Sequence, residues 1–166
     1  MPIINNVEME YMKTPLHKYT FSVSTIRNWV EKNSEGKVLN LFAGKTELDL
    51  DEYRVDKDET MNADWYGDAL DFVKQCDQKF DTIILDPPYS YRKSMEMYNG
   101  NKASAFKIIK DNLPDLLKKK GKVITFGYHS VSMGKTRGFK RDKVLLMSHG
   151  GAIHDTIAVI ESKKNK

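Results

Sequence analysis

Thr82 to Leu85 is a short apolar run, rich in β-branched residues, that stops abruptly at Asp86-Pro87-Pro88-Tyr89. A run of this kind reads as a strand buried within a parallel sheet. Prolines offer no N–H to a ladder, so the strand must end there and Asp86 falls at its carboxyl end. In open α/β sheets, ligands bind outside that end of the strands. The stretch therefore fixes a fold class and a place for chemistry together.

A chain of 166 residues suffices for one domain with a continuous core. Residues 1–12 show no clear period and are expected to form a loose arm; residues 162–166 read as a polar tail. No apolar stretch reaches transmembrane length, and the N-terminus lacks a basic region followed by an apolar one. A single cysteine, Cys76, excludes an internal disulfide framework, and the four histidines show no zinc spacing. The expectation is a cytoplasmic protein with no metal and no membrane contact.

The net charge of +4 hides an asymmetry. Thr46 to Asp81 carries twelve acids against four bases, Tyr91 to Lys122 nine bases against three acids, and Lys135 to Lys143 five bases against one acid. Basic segments following Asp86 suit a polyanion approaching that end of the sheet.

Asp86-Pro87-Pro88-Tyr89 resembles the catalytic tetrapeptide of S-adenosylmethionine-dependent amino-methyltransferases, above all the adenine-N6 DNA methyltransferases. The resemblance implies a Rossmann-like α/β domain: a seven-stranded, mostly parallel sheet with an antiparallel closing strand. It also implies that S-adenosylmethionine is the methyl donor and S-adenosylhomocysteine the product. An exocyclic purine amine is a poor nucleophile because its lone pair is delocalised into the ring. The Asp86 carboxylate and the Pro87 carbonyl would hold both amine hydrogens and draw the nitrogen towards tetrahedral geometry. The prolines would fix the carbonyl direction before substrate arrives, and Tyr89 would stack on a flipped base. Asp86 would also border the cofactor.

Other segments resemble the family in order along the chain. Thr14-Pro15 precedes a helix expected at about Thr25 to Glu31, with Ser24 as its N-cap. It resembles the segment that touches the cofactor's methionine end. Lys37 to Ala43 reads as the first strand, and Phe42-Ala43-Gly44 resembles the cofactor motif, with Thr46 where a second glycine is usual. Tyr53 to Asp56 should be the second strand, placing Asp56 or Asp58 near the cofactor ribose. Only twelve residues separate Gly44 from Asp56. The first crossover helix must therefore be about one turn or absent. Asp68 and Ala69 resemble the pair that borders the cofactor adenine, and Asp68 also suits a helix N-cap.

Tyr91, Arg92 and Lys93 interleave aromatic and basic character as base stacking and phosphate contact require. Ala103 to Leu117 has helical spacing, with Pro114 marking a kink or a fresh start. Gly121 to Tyr128 reads as a buried strand, and Tyr128 to Lys143 as a long loop. Arg137, Lys140 and Arg141 in that loop are the candidate phosphate contacts. Val144 to Met147 and Thr156 to Ile160 read as a closing antiparallel pair.

The resulting expectation is methyl transfer to adenine N6 of DNA. The alternatives are an RNA methyltransferase acting on adenine N6 or guanine N2, an inactive nucleic-acid-binding module, and a methyltransferase for a protein amide or small amine. The sequence shows no separate reading domain, which favours the RNA alternative, a specificity partner or a homodimer.

Overall fold

The computed structural model describes residues 2–88, 105–151 and 153–164. Tyr89, Tyr91, Arg92 and Lys93 lie outside the described residues. The strands are β1 (Ile3–Ile4), β2 (Val7–Lys13), β3 (Lys37–Asn40), β4 (Asp51–Asp56), β5 (Trp65–Tyr66), β6 (Phe80–Leu85), β7 (Leu117–Gly127), β8 (Phe139–Ser148) and β9 (Thr156–Lys163). The α-helices are α1 (Ser24–Asn33), α2 (Ala69–Gln75) and α3 (Ala105–Asn112).

All nine strands join one sheet in the order β1-β2-β8-β9-β7-β6-β3-β4-β5. From β7 to β5 every neighbouring pair is parallel. β9 inserts antiparallel between β7 and β8. These seven strands are the expected sheet with its antiparallel closing strand. β2 then adds in parallel to β8, from Glu8 opposite Lys143 to Lys13 opposite Ser148. Residues 3–13 are thus strands rather than a loose arm. β2 is half-buried throughout Val7 to Glu10 and alternates exposed with half-buried only from Tyr11 to Lys13, so no clear period marks it as a strand. Asn5 and Asn6, with φ of 52° and 66°, turn β1 back on β2 as the two-residue hairpin loop between twisted strands requires.

The side-chain alternation of the strands sorts the core into two layers. Val38 and Ile84 face α1, packing with Ile26, Trp29, Val30 and Phe126. Leu39, Leu41, Val55, Ile83 and Leu85 face α2 and α3. α1 starts at Ser24 itself, and Val23 is its N-cap with no side-chain cap bond, so Ser24 does not cap it. Pro114 begins a fresh 3-10 turn, Leu113–Leu116, after α3. Between β3 and β4 there is no helix, as the short spacing demands.

The connection from β7 to β8 is shorter than Tyr128 to Lys143. It passes a 3-10 turn at Lys135–Arg137 and re-enters the sheet at Phe139. Its middle is held by Glu161 of β9, which is 2% exposed. The carboxylate accepts from the backbone N–H groups of Ser132, Met133 (2.8 Å) and Gly134 (2.9 Å). Three converging N–H groups make an anion-binding concavity, and here the chain supplies its own anion. Replacing Glu161 with Gln points an amide N–H₂ at donors. The expected cost is about 2 kcal/mol, lowering the thermal midpoint by roughly 5 °C. Calorimetry of the two proteins checks this, and an unchanged midpoint would remove the carboxylate from the account.

Candidate active site

At the carboxyl ends of β3, β4, β6 and β7 lies a cleft of about 890 Å³. Phe42, Ala43 and Gly44, which follow β3, line it together with Asp56, Asp58, Asp68, Ala69, Asp86, Pro87, Pro88 and Pro15. Residues as far apart in sequence as Phe42 and Pro88 therefore share one wall because the parallel strands end on one side. Asp86 is half-buried, Pro87 buried and Pro88 exposed. The acid thus sits at the boundary between the core and the opening.

Gly44 turns the chain with φ of 67°, a conformation that costs side-chain-bearing residues roughly 1 kcal/mol or more. A Cβ there would meet only Tyr19, at 3.7 Å. Backbone conformation rather than crowding is what calls for glycine. The Gly44 N–H donates to Asp56 Oδ2 at 2.7 Å, and Asp56 Oδ1 accepts from the Asp58 N–H at 2.8 Å. Asp56 therefore ties the first loop to the second while facing the cleft. Asp58 accepts from the Thr60 hydroxyl and N–H. These bonds hold its carboxyl below the usual range. Asp68 caps α2 by accepting from the Leu70 N–H at 2.9 Å, and still lines the cleft.

Sequence reasoning missed Arg54. It is 4% exposed and spends every nitrogen on loop carbonyls. Nη2 donates to Gly44 O at 2.6 Å, Nη1 to Thr46 O at 2.8 Å, and Nε to Asn62 O at 2.7 Å. Nη1 also pairs with Glu52 at 3.1 Å. Where a crossover helix would satisfy its own carbonyls, a guanidinium satisfies those of Gly44 and Thr46. The signal was present: an arginine inside a buried strand, beside a crossover too short for a helix.

The opposite wall comes from residues 15–23, which run from the end of β2 to α1. Thr14 is buried. Its N–H donates to Ser148 O at 3.0 Å, and its carbonyl is 2.9 Å from His149 Nδ1. A carbonyl only accepts, so Nδ1 carries the proton. Nε2 meets the Thr156 hydroxyl at 2.7 Å. His149 thus fastens the Thr14-Pro15 segment to the sheet, a second role the sequence did not disclose. His154, beside Asp155, packs its ring 6.0 Å from that of Tyr128 at the cleft mouth.

The structure does not bring Arg137, Lys140 and Arg141 to this site. β8 runs from Phe139 at the amino-terminal edge of the sheet to Ser148 at the cleft edge, so Lys140 and Arg141 lie at the far end. Arg137 is bound to Asp111 at 2.8 Å and to the carbonyls of Ser132 and Met133. The sequence spacing after Asp86 suggested proximity, but the β7–β8 connection carries the chain back across the sheet. Among the described residues no group of His, Cys, Asp or Glu could hold a metal ion. No helix among them is long and apolar enough to cross a membrane.

No family model matches the chain. No curated protein matches it in sequence. Solved structures do share its fold. TrmN from Thermus thermophilus superposes with a TM-score of 0.58 at 15% identity, over 86% of this chain and 49% of that one. SMU.776, complexed with SAH, gives 0.56 at 15% over 82% and 48%. The M. jannaschii tRNA m1G37 methyltransferase gives 0.52 at 14% over 84% and 49%. The chain spans about half the length of each of these three. With this strand order and these neighbours, the chain has the fold of the class I methyltransferases.

Proposed function

We propose that the chain is an S-adenosylmethionine-dependent N-methyltransferase acting on an exocyclic amine of a nucleobase. The observation that carries this reading is the convergence of Gly44, Asp56, Asp68 and Asp86-Pro87-Pro88 on one cleft at the carboxyl ends of the parallel strands. The cleft volume of about 890 Å³ lies within the range of small-molecule and cofactor sites. Asp56 and Asp58 supply carboxylate oxygens for vicinal hydroxyls, and Asp68 an acceptor for an adenine amine. The φ of Gly44 turns the loop backbone without a side chain in the way. These residues fit S-adenosylmethionine, and the neighbour complexed with SAH supports it.

Bound there, S-adenosylmethionine supplies a methyl group on a positively charged sulfur and leaves as S-adenosylhomocysteine. The Asp86 carboxylate and the Pro87 carbonyl accept the two amine hydrogens and localise the nitrogen lone pair. Methyl transfer would form a C–N bond as the C–S bond breaks, and the proton shed by the nitrogen would leave to solvent by way of the Asp86 carboxylate. Pro87, buried in the wall, gives a carbonyl whose direction is set before substrate arrives. Tyr89 completes the base pocket in this reading.

The aspartate at the head of the tetrapeptide points to adenine N6 of DNA. A second reading is adenine N6 or guanine N2 of RNA; the tRNA m1G37 methyltransferase among the structural neighbours supports RNA as the polymer. Incubation with labelled S-adenosylmethionine and either duplex DNA or bulk tRNA, followed by nucleoside analysis, decides between them. Label in neither polymer, with SAH bound, would turn the proposal towards protein or small amines.

Asp56 gives a sharper test of the cofactor half. Asp56→Ala removes the acceptor of two loop N–H groups and of the ribose. SAH affinity should fall roughly 10-fold to 100-fold, the range for hydrogen bonds to a charged group. The KM for polymer should move far less. Unchanged calorimetric binding of SAH would transfer the ribose role to Asp58.

A further inference from the structure

We infer that the amino-terminal edge of the sheet, at the end opposite the cleft, is a docking surface for the phosphate backbone of an RNA substrate. This rests on the nucleic-acid reading above and takes its RNA branch.

Three segments remote in sequence meet at that edge. The pairing of β6 with β7 jumps from Phe80 opposite Leu117 to Thr82 opposite Lys122, so Lys118-Lys119-Lys120 is looped out. All three are exposed, and Lys120 adopts φ of 60° to make the loop. Two strands away, Lys140 and Arg141 open β8. Lys122, Ser162 and Lys140 lie in one row across β7, β9 and β8. At a strand spacing of about 4.8 Å the two basic segments are roughly 10 Å apart. Lys164 joins them, its N–H bonded to Gly138 O at 2.9 Å.

The charge at this edge is poorly neutralised. Three acids there are each engaged by a lysine, Asp81 by Lys118 at 3.2 Å, Glu35 by Lys122 at 3.0 Å and Asp142 by Lys140 at 3.8 Å, and a fourth, Asp115, is exposed just before β7. Lys119, Lys120, Arg141 and Lys164 form no ion pair among the described residues. Nothing in the fold needs these four, since each is exposed and contributes no core. The chain carries them where the sheet edge is solvated, and a polyanion is the partner such a cluster attracts.

Distance selects the polymer. β8 has 10 residues, so the basic edge and the cleft are about 30 Å apart and face opposite ways. A DNA duplex is straight on that scale, with a persistence length of about 150 base pairs, and bending a 20–30 bp site by even 40–90° costs about 1–6 kcal/mol. A folded or single-stranded RNA reaches around the molecule without that cost. The target base then enters the cleft while a distant phosphate run holds the lysine edge.

The test uses the full chain and a variant carrying Lys119→Ala, Lys120→Ala, Arg141→Ala and Lys164→Ala. Binding is measured with bulk tRNA, a single-stranded hexaribonucleotide and a 30-base-pair DNA duplex across a salt series. The variant should bind tRNA at least 10-fold more weakly near 0.1 M salt. Its slope of log affinity against log salt should shrink by about 3, for four charges at roughly 0.7 each. Hexaribonucleotide binding, too short to span edge and cleft together, should fall less than tRNA binding, and SAH affinity and thermal midpoint should stay as in the parent. Equal tRNA affinity and slope in both proteins would overturn the docking surface. Equal losses for tRNA and duplex would overturn the choice of RNA. Failure of the parent to bind SAH would instead strike the methyltransferase reading, which the salt series does not address.

Discussion

Asp86→Ala should abolish methyl transfer while leaving SAH affinity within about threefold of the parent. The side chain lies at the end of β6, where the prolines stop the ladder and the cleft opens. In the proposed reaction its carboxylate accepts a hydrogen that becomes more acidic as the amine nitrogen turns positive. That bond therefore strengthens on the way to the transition state, and only such bonds raise kcat. A comparable preorganised group elsewhere is worth about 10²–10³ in rate, and loss of a charged acceptor belongs at the upper end. Asp86→Asn keeps one carbonyl acceptor without the charge, so it should retain more activity than the alanine variant. Single-turnover rates and calorimetry with SAH separate the two effects. Near-parental turnover by Asp86→Ala would falsify the catalytic assignment. A parallel collapse of SAH affinity would make Asp86 a cofactor ligand first.

The parts of this molecule that were legible in the sequence are those where local chemistry leaves one choice. Prolines end β6 whatever surrounds it, and twelve residues from Gly44 to Asp56 cannot hold a full crossover helix. The β-branched runs of β6 and β9 announce buried strands. Several features were not legible because they depend on partners distant in the chain. β2 has an ambiguous pattern on its own and becomes a strand because β8 offers it a free edge. Ser24 looks like a cap, but the chain enters α1 one residue earlier at Val23. The basic residues at 135–143 follow Asp86 in sequence yet lie at the other end of the sheet, because charge patterning records composition and not direction. His149 gives no local sign of its bond to Thr14, 135 residues away.

Arg54 is where these two kinds of information meet, and replacing it should have the second large effect. Its guanidinium binds three carbonyls on two loops, and Glu52, 4% exposed in its side chain, is its ion partner. Glu52 in turn accepts from the Leu48 N–H at 3.1 Å and the Asn40 amide at 2.8 Å. Arg54→Met leaves a buried carboxylate without its cation and three carbonyls without donors, at an expected cost of about 3–5 kcal/mol. That variant reports stability alone. Arg54→Lys is the more informative change, because an ammonium keeps the charge for Glu52 but lacks the planar fork that spans Gly44, Thr46 and Asn62. The lysine variant should fold with a modestly lower midpoint, yet bind SAH at least 10-fold more weakly. Amide hydrogen exchange should rise at residues 44–50 and 57–64 while β7 and β9 stay protected. A residue acting only as packing would lower the midpoint and leave SAH affinity, measured well below it, untouched. Full SAH affinity in Arg54→Lys would show that the loop after β3 holds its shape without the guanidinium. The missing crossover helix would then need another substitute.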